Sequence, residues 1–275
     1  MQIANCGLKN SRRTEVEVAL KTEKVSGNNL MNDKEKKSMK ILAAQGSPRP
    51  KMSNTEILLQ EFLGGARSAG AETETVYLQE KDIHPCVGCF SCWVKTPGVC
   101  VFKDDMPGLL EKVRGCDILV YAFPLYNYNL TAITKAFQER LLPLVHPHFV
   151  KTGEVYRHPP RYAMNRKMVL ISNCGFPEVS HFEGIRRVFR HMEKSSGAPL
   201  IGELLMPAGQ LLRVEPLKEK IQVILQAARR AGVEVVREGR VSGETEAQIQ
   251  KPIFSADQLA EMANQTWDRL LQGNG

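Results

Sequence analysis

From Lys40 onward, short apolar runs ending at glycine or proline alternate with longer stretches whose apolar residues recur every three to four positions. "KILAAQG", "ETETVYL", "DILVYAFPLY", "KMVLISNCG" and "PLIGELLMP" are runs of the first kind and predict five strands. Between them, "ILLQEFLGGARSAG", "MPGLLEKVRGC", "TAITKAFQERLLPL" and "FEGIRRVFRHMEKSSG" carry helical spacing, and "EPLKEKIQVILQAARRAG" closes the series as a fifth helix. Strands with near-continuous apolar runs, separated by helices, predict a parallel sheet covered on both faces. The expected fold class is α/β, a doubly wound five-stranded parallel sheet. Ligands in that architecture sit at the carboxyl ends of the strands, which here means the loops beginning at Gly46, Pro124 and Cys174. Residues 39–232 form the expected domain. Residues 233–275 add a strand-like piece, "VEVVREG", and a helix, "SADQLAEMANQTWDRLLQ", expected to pack on the domain.

Composition narrows the class without changing this picture. A chain of 275 residues with 43% apolar residues can bury a substantial core, and none of its apolar runs is long enough for a bilayer. The net charge of +7 is scattered, with no basic run interleaved with aromatics, so a solvated basic surface is expected rather than a nucleic-acid or membrane partner. Residues 1–38 lack sustained periodicity and are read as a flexible extension. Seven cysteines, four of them within residues 86–100, do not make a disulfide framework. Reduced thiols and a cytoplasmic location are expected.

The loop "GSPRPKMSNT" joins the first strand to the first helix. The helix N-terminus offers free N–H groups and partial positive charge, Ser47, Ser53, Asn54 and Thr55 add short hydrogen-bonding side chains, and Arg49 adds a fork for oxygen atoms. That set suits a phosphomonoester; a plainly capped helix is the other reading. Neither the dinucleotide fingerprint nor the Walker pattern is present. In "FPLYNYNLTAITKAF", Pro124, Leu125, Tyr126, Asn127 and Tyr128 follow the third strand. The tyrosine rings can stack on a flat heteroaromatic while the N–H groups of Leu125 to Tyr128 meet its polar edge, or the rings can be core or interface residues. "NCGFPE" offers Cys174, Gly175 and Phe176, a third loop that allows close backbone approach.

These blocks, "GSPR" with "SNT", "HPCVGCFSCWVKTPGVCVFKDDM" and "PLYNYNLTAITKAFQER", occur in an order that closely resembles the FMN-dependent NAD(P)H oxidoreductases of flavodoxin-like fold, including the iron–sulfur flavoprotein branch. The resemblance covers roughly residues 40–205. It implies non-covalent FMN, with its phosphate at Ser47, Arg49, Ser53, Asn54 and Thr55, its isoalloxazine at Pro124 to Tyr128, and a further contact from Cys174 to Phe176. It also implies a homodimer or homotetramer, NAD(P)H as a transient substrate, and a quinone or other small acceptor. Asn127 stands where relatives commonly carry a bulkier residue, "FQER" replaces the usual "FxDR", and the chain after Pro207 matches only loosely.

The spacing Cys-x2-Cys-x2-Cys-x7-Cys brings Cys86, Cys89, Cys92 and Cys100 together in sequence. Three readings stand: a [4Fe–4S] cluster as in the iron–sulfur flavoproteins, an unmetallated segment as in cluster-free reductases, and a zinc site. A cluster implies a role as an electron carrier between ferredoxin-like partners. A flavin-free thiol or metal sensor is a further alternative. Asp104 and Asp105 directly precede a helix and are expected to cap it rather than catalyse. His146 and His148 are read as a loop pair, Trp93 and Trp267 as core or interface residues, and Cys116 as a small hydrophobe. No catalytic acid or base is assigned.

Overall fold

The computed structural model describes residues 38–273, so the reading of the N-terminal extension lies outside the described residues. In chain order the elements are β1 (Lys40–Gln45), α1 (Asn54–Ser68), β2 (Glu72–Tyr77), α2 (Ser91–Val94), α3 (Met106–Gly115), β3 (Ile118–Pro124) and α4 (Ala132–Glu139). They continue as β4 (Val150–Thr152), β5 (Val155–Arg157), β6 (Lys167–Asn173), α5 (Glu183–Ser196), β7 (Leu200–Met206), α6 (Lys218–Arg237), α7 (Gly243–Gln250) and α8 (Ala256–Leu271). Five strands form one parallel sheet in the order β2-β1-β3-β6-β7. The sequence order reverses between β1 and β3, which opens a crevice at their carboxyl ends.

Alternation along the strands assigns the two cores. Ile41, Ala43, Ile118, Val120, Val169 and Ile171 face α1 and α6. Leu42, Ala44, Leu119, Tyr121, Phe123 and Leu170 face α3, α4 and α5. All seven residues of β3 are buried, as a strand covered on both faces requires. No helix among the described residues is long and apolar enough to cross a membrane.

Helices α1 and α6 lie unusually close. A Cβ on Gly65 would strike the backbone oxygen of Arg229, and one on Gly232 would strike that of Phe62. Both collisions are with backbone, which cannot rotate away. Gly232→Ala is therefore expected to destabilise the fold by about 2–3 kcal/mol through overpacking, although alanine gains about 1 kcal/mol of helix propensity over glycine. Urea unfolding measures the difference, and a neutral or stabilised variant would contradict this packing.

The same contact explains one failed expectation. "VEVVREG" is not a strand: α6 runs through it to Arg237. Gly232 serves close packing instead of ending the helix, and the buried Ala228, Ala231 and Val235 continue a helical period. The boundary drawn at residues 232/233 thus falls inside one continuous helix. At the C-terminus, α8 buries only Leu259, while Trp267 is 64% exposed and is not a core residue. The sequence also gave no sign of the antiparallel β4–β5 hairpin inserted before β6, whose three-residue strands are almost wholly exposed.

Candidate functional site

The carboxyl ends of β1, β3 and β6 converge on a cleft of about 330 Å³. Its walls include Ser47, Arg49, Ser53, Asn54 and Thr55 from the first loop, Pro124, Leu125 and Tyr126 from the second, and Cys174 and Gly175 from the third. Asn127, Tyr128 and Phe176 do not line it. Tyr128 and Phe176 instead stack beside it with His181, the Phe176 and His181 rings 4.2 Å apart and the Tyr128 and Phe176 rings 6.4 Å apart. Met52, Asn173, Gln210 and Arg213 complete the walls.

Gln45, buried at the end of β1, shapes the first loop. Its Nε2 reaches the Pro50 carbonyl at 2.8 Å, and its Oε1 accepts from the Ser47 N–H at 2.8 Å. The Ser53 hydroxyl accepts from the Glu56 N–H at 3.1 Å and donates to the Pro50 carbonyl. The capped-helix reading of this serine is therefore realised, and its side chain is engaged within the loop. The N–H groups of Asn54 and Thr55 lie in the first turn of α1, where no intrahelical acceptor exists. Arg213 braces them: its Nε donates to Asn54 Oδ1 at 3.0 Å and its Nη2 to the Met52 carbonyl at 2.7 Å. Two guanidinium groups and a helix N-terminus thus meet on a cleft whose walls carry no carboxylate. Positive potential is concentrated there.

The second loop differs from expectation in its donors. The Leu125 N–H is taken by the Asn173 carbonyl at 2.8 Å, and Tyr126 and Asn129 exchange backbone hydrogen bonds at 3.2 and 3.0 Å. Asn127 and Tyr128 between them both have positive φ, 47° and 63°, the arrangement of a type I′ turn. Their N–H groups, rather than those of Leu125 and Tyr126, are without a backbone acceptor among the described residues. Left-handed backbone is unfavourable for tyrosine, and such strain gathers at ligand sites. Asn173 ties the three loops together, since its Nδ2 also donates to Thr55 Oγ1 at 2.7 Å. In the third loop, burial pushes the Cys174 thiol up, so it stays protonated. Gln210 Nε2 holds the Gly175 carbonyl at 3.1 Å.

The cysteine segment forms a separate site. Left-handed residues Gly88 and Phe90 coil it tightly ahead of α2. Burial pushes the Cys92 thiol up, and Cys100, Cys86 and Cys89 add to the shift. The Ser91 N–H and hydroxyl draw the exposed Cys89 thiol down, helped by Lys95. Among the described residues all cysteines are free, and no group of three or more ligating side chains stands at metal-binding spacing.

One residue that anchors this segment escaped the sequence reading. Arg140, at the end of α4, forms a two-pronged ion pair with Asp104 at 2.6 and 3.0 Å, both side chains being almost fully buried. It also donates to the His84 carbonyl at 2.7 Å and stacks over Phe102. Asp104 accepts from the N–H groups of His84 and Met106, while Asp105 accepts from that of Asp82 and makes no side-chain cap. The expected side-chain cap is thus absent at Asp105, and both aspartates are engaged mainly in tertiary pairing. Burial works against the Arg140 charge, but Asp104 and Cys100 outweigh it and push its pKa up, and its Nε is buried without a partner. Elsewhere, Trp93 Nε1 donates to the Leu142 carbonyl, burial pushes the Cys116 thiol up to about 11, and the His146 and His148 rings stand 6.4 Å apart.

Residues 39–175 match the family model of the NADPH-dependent FMN reductases. An iron-sulfur flavoprotein of Methanocaldococcus jannaschii is 36% identical over 106 residues, which are 38% of this chain and 53% of that protein. Another, from Methanosarcina thermophila, is 35% identical over 117 residues, 42% of this chain and 60% of the relative. The chain spans about half the length of the curated relatives it matches. Among solved structures, an FMN-dependent NADH-azoreductase from Bacillus anthracis in complex with FMN superposes with a TM-score of 0.56 at 14% identity, covering 73% of this chain and all of that one. An NAD(P)H:quinone oxidoreductase from Methanothermobacter marburgensis gives 0.51 at 17%, covering 72% and 97%. Both share the flavodoxin-like fold described above.

Proposed function

Because this chain belongs to the NADPH-dependent FMN reductase family over residues 39–175, we propose that its three-loop cleft holds FMN and that the protein passes electrons from NAD(P)H to a quinone or another small acceptor. The observation that carries this reading is the convergence of Arg49, Arg213 and the α1 N-terminus on a carboxylate-free cleft. A phosphate dianion is the group such a cleft favours. Bound FMN supplies hydride acceptance and the release of one or two electrons.

The chain's own residues bind and orient. Ser47, Arg49, Asn54 and Thr55 hold the phosphate, with Ser53 contributing through the helix start it caps. Pro124, Leu125 and Tyr126 form the wall for the ring system. The free N–H groups of Asn127 and Tyr128 meet its polar edge, while Cys174 and Gly175 approach from the third loop. Tyr128, Phe176 and His181 make an aromatic rim against which a flat second substrate can rest. Cys174, protonated and buried, serves packing.

A second reading concerns the cysteine segment. Cys86, Cys89, Cys92 and Cys100 are free thiols within fifteen residues of sequence, a donor set whose chemistry suits a [4Fe–4S] cluster although the side chains do not stand at metal-binding spacing. The iron-sulfur flavoprotein names of the relatives point the same way. Cys86, Cys89, Cys92 and Cys100 would hold it, Arg140 would lie beside the Cys100 sulfur, and the role would shift toward electron transfer with a ferredoxin-like partner.

One preparation tests both readings. Protein purified without oxygen is expected to show flavin absorption with about one FMN per chain and to oxidise NAD(P)H in the presence of a quinone; about four iron and four sulfide per chain establish the second reading. Flavin with no iron leaves a reductase with a structural cysteine segment. A colourless protein that does not take up FMN would overturn the main proposal in favour of a flavin-free sensor.

A further inference from the structure

A second cavity, of about 420 Å³, lies on the α4/α5 side of the sheet, bordered by the β4–β5 hairpin. It shares no lining residue with the three-loop cleft. Met168, at the start of β6, forms part of its wall, whereas the cleft uses Asn173 at the strand's other end, about 16 Å away at the usual rise of a strand. The walls combine an apolar part with two guanidinium groups, and among the lining residues there is no Asp or Glu.

Arg157, from β5, and Arg166, just before β6, supply those groups. Both have a buried Nε with no hydrogen-bond partner, and among the described residues neither forms an ion pair. Arg166 donates only to the Val113 carbonyl at 3.3 Å and the Met164 sulfur at 3.8 Å. The Arg157 guanidinium rests over Gly197, the left-handed residue that ends α5 (φ 73°); any side chain there would collide with it. The fork is thus held against the backbone by a residue with no Cβ.

An arginine stays charged, and two half-buried guanidinium groups around one hollow repel each other and lack a counter-charge. A carboxylate matches their paired N–H geometry. A bare inorganic anion would leave the rest of the hollow empty, since Tyr121, Leu144, Met168 and Met192 line it with apolar surface, and the methionines can adjust to the shape of a ligand. The volume is within the range of small-molecule sites. We propose that this cavity binds an organic carboxylate with an apolar, ring-sized body, its carboxylate held by Arg157 and Arg166.

The probe is 2-naphthoate, titrated calorimetrically into the protein as purified, with and without excess FMN, against the neutral isostere 2-naphthamide. The expected result is one naphthoate site per chain, unaffected by FMN, with the amide at least about 10-fold weaker. Arg157→Gln and Arg166→Gln are each expected to weaken naphthoate by about 10-fold or more while FMN content is unchanged, and Arg157→Lys to retain part of the affinity. Equal binding of acid and amide, competition by FMN, no binding at millimolar naphthoate, or wild-type affinity in both glutamine variants would each overturn the proposal. If a glutamine variant does not fold, the acid and amide comparison on the unaltered protein still decides it.

Discussion

The Arg140→Met variant is expected to lose about 3–5 kcal/mol of stability, the usual cost of breaking a buried ion pair from one side. Arg140 and Asp104 are 1% and 0% exposed, and removing the guanidinium leaves the carboxylate without a cation in a site water does not reach. Two N–H groups would remain on Asp104, so it would not be wholly unpartnered. The double variant Arg140→Met/Asp104→Leu is expected to recover part of the loss, because it also removes the stranded charge. Acid titration separates this from a simple packing defect. In the wild type, burial works against the Asp104 charge, but the Arg140 fork and the two N–H donors outweigh it and hold its carboxyl below the usual range. Its contribution is therefore complete above the ordinary aspartate value near about 4 and is lost as pH falls through the lower folded value. In Arg140→Met the same carboxyl titrates higher in the fold while its unfolded value is unchanged, so this group's acid-sensitive loss of stability shrinks, and it reverses once the folded value passes the unfolded one, because protonation then relieves a stranded charge. An acid dependence as large as in the wild type, or a loss below about 1 kcal/mol, would show that the pair is screened or replaceable.

Much of this architecture was legible in the chain, for physical reasons that also mark where legibility ended. Strands such as "ILVYAFP" are buried on both faces and so appear as unbroken apolar runs, and each is followed by the loop chemistry that a crevice needs. The cleft residues Ser47, Arg49, Asn54 and Thr55 could be named because they lie close together in sequence at a strand-to-helix junction. Arg213 and Gln210 could not, since they reach the cleft from a segment more than 150 residues later with no motif of its own. Gln45 reads as the last residue of a strand, and only the folded loop reveals it as the group that orders Pro50 and Ser47. Arg140 was visible as part of "FQER", but a helix-terminal arginine is ordinarily a solvated charge; its burial depends on a partner 36 positions away. "VEVVREG" misled for the opposite reason. Its β-branched residues favour a strand, and the helix persists because Val235 and Ala231 are buried in the core that α6 shares with α1.

Arg49 gives the most direct test of the flavin cleft, because Arg213 is partly spent on bracing the loop. Arg49 is exposed at the mouth of the cleft beside the α1 N-terminus, so a bound phosphate dianion gains a charge-assisted contact from it. Such contacts contribute about 1.5–3 kcal/mol, so Arg49→Met is expected to weaken FMN by about 10- to 100-fold. Riboflavin, which has the ring system but no phosphate, is expected to lose less than about 3-fold in the same variant. Arg213→Met should cost FMN at least as much, and should also weaken riboflavin somewhat, since Asn54 and Met52 lose the brace that positions the first loop. Fluorescence titration of apoprotein with each flavin reads all four affinities, and rising salt should weaken FMN more than riboflavin. Equal losses of FMN and riboflavin in Arg49→Met would mean that no phosphate sits at the start of α1. The flavin would then have to enter the crevice the other way round, with its ring system against Ser47 and Thr55, and the polarity of the whole site would be reversed.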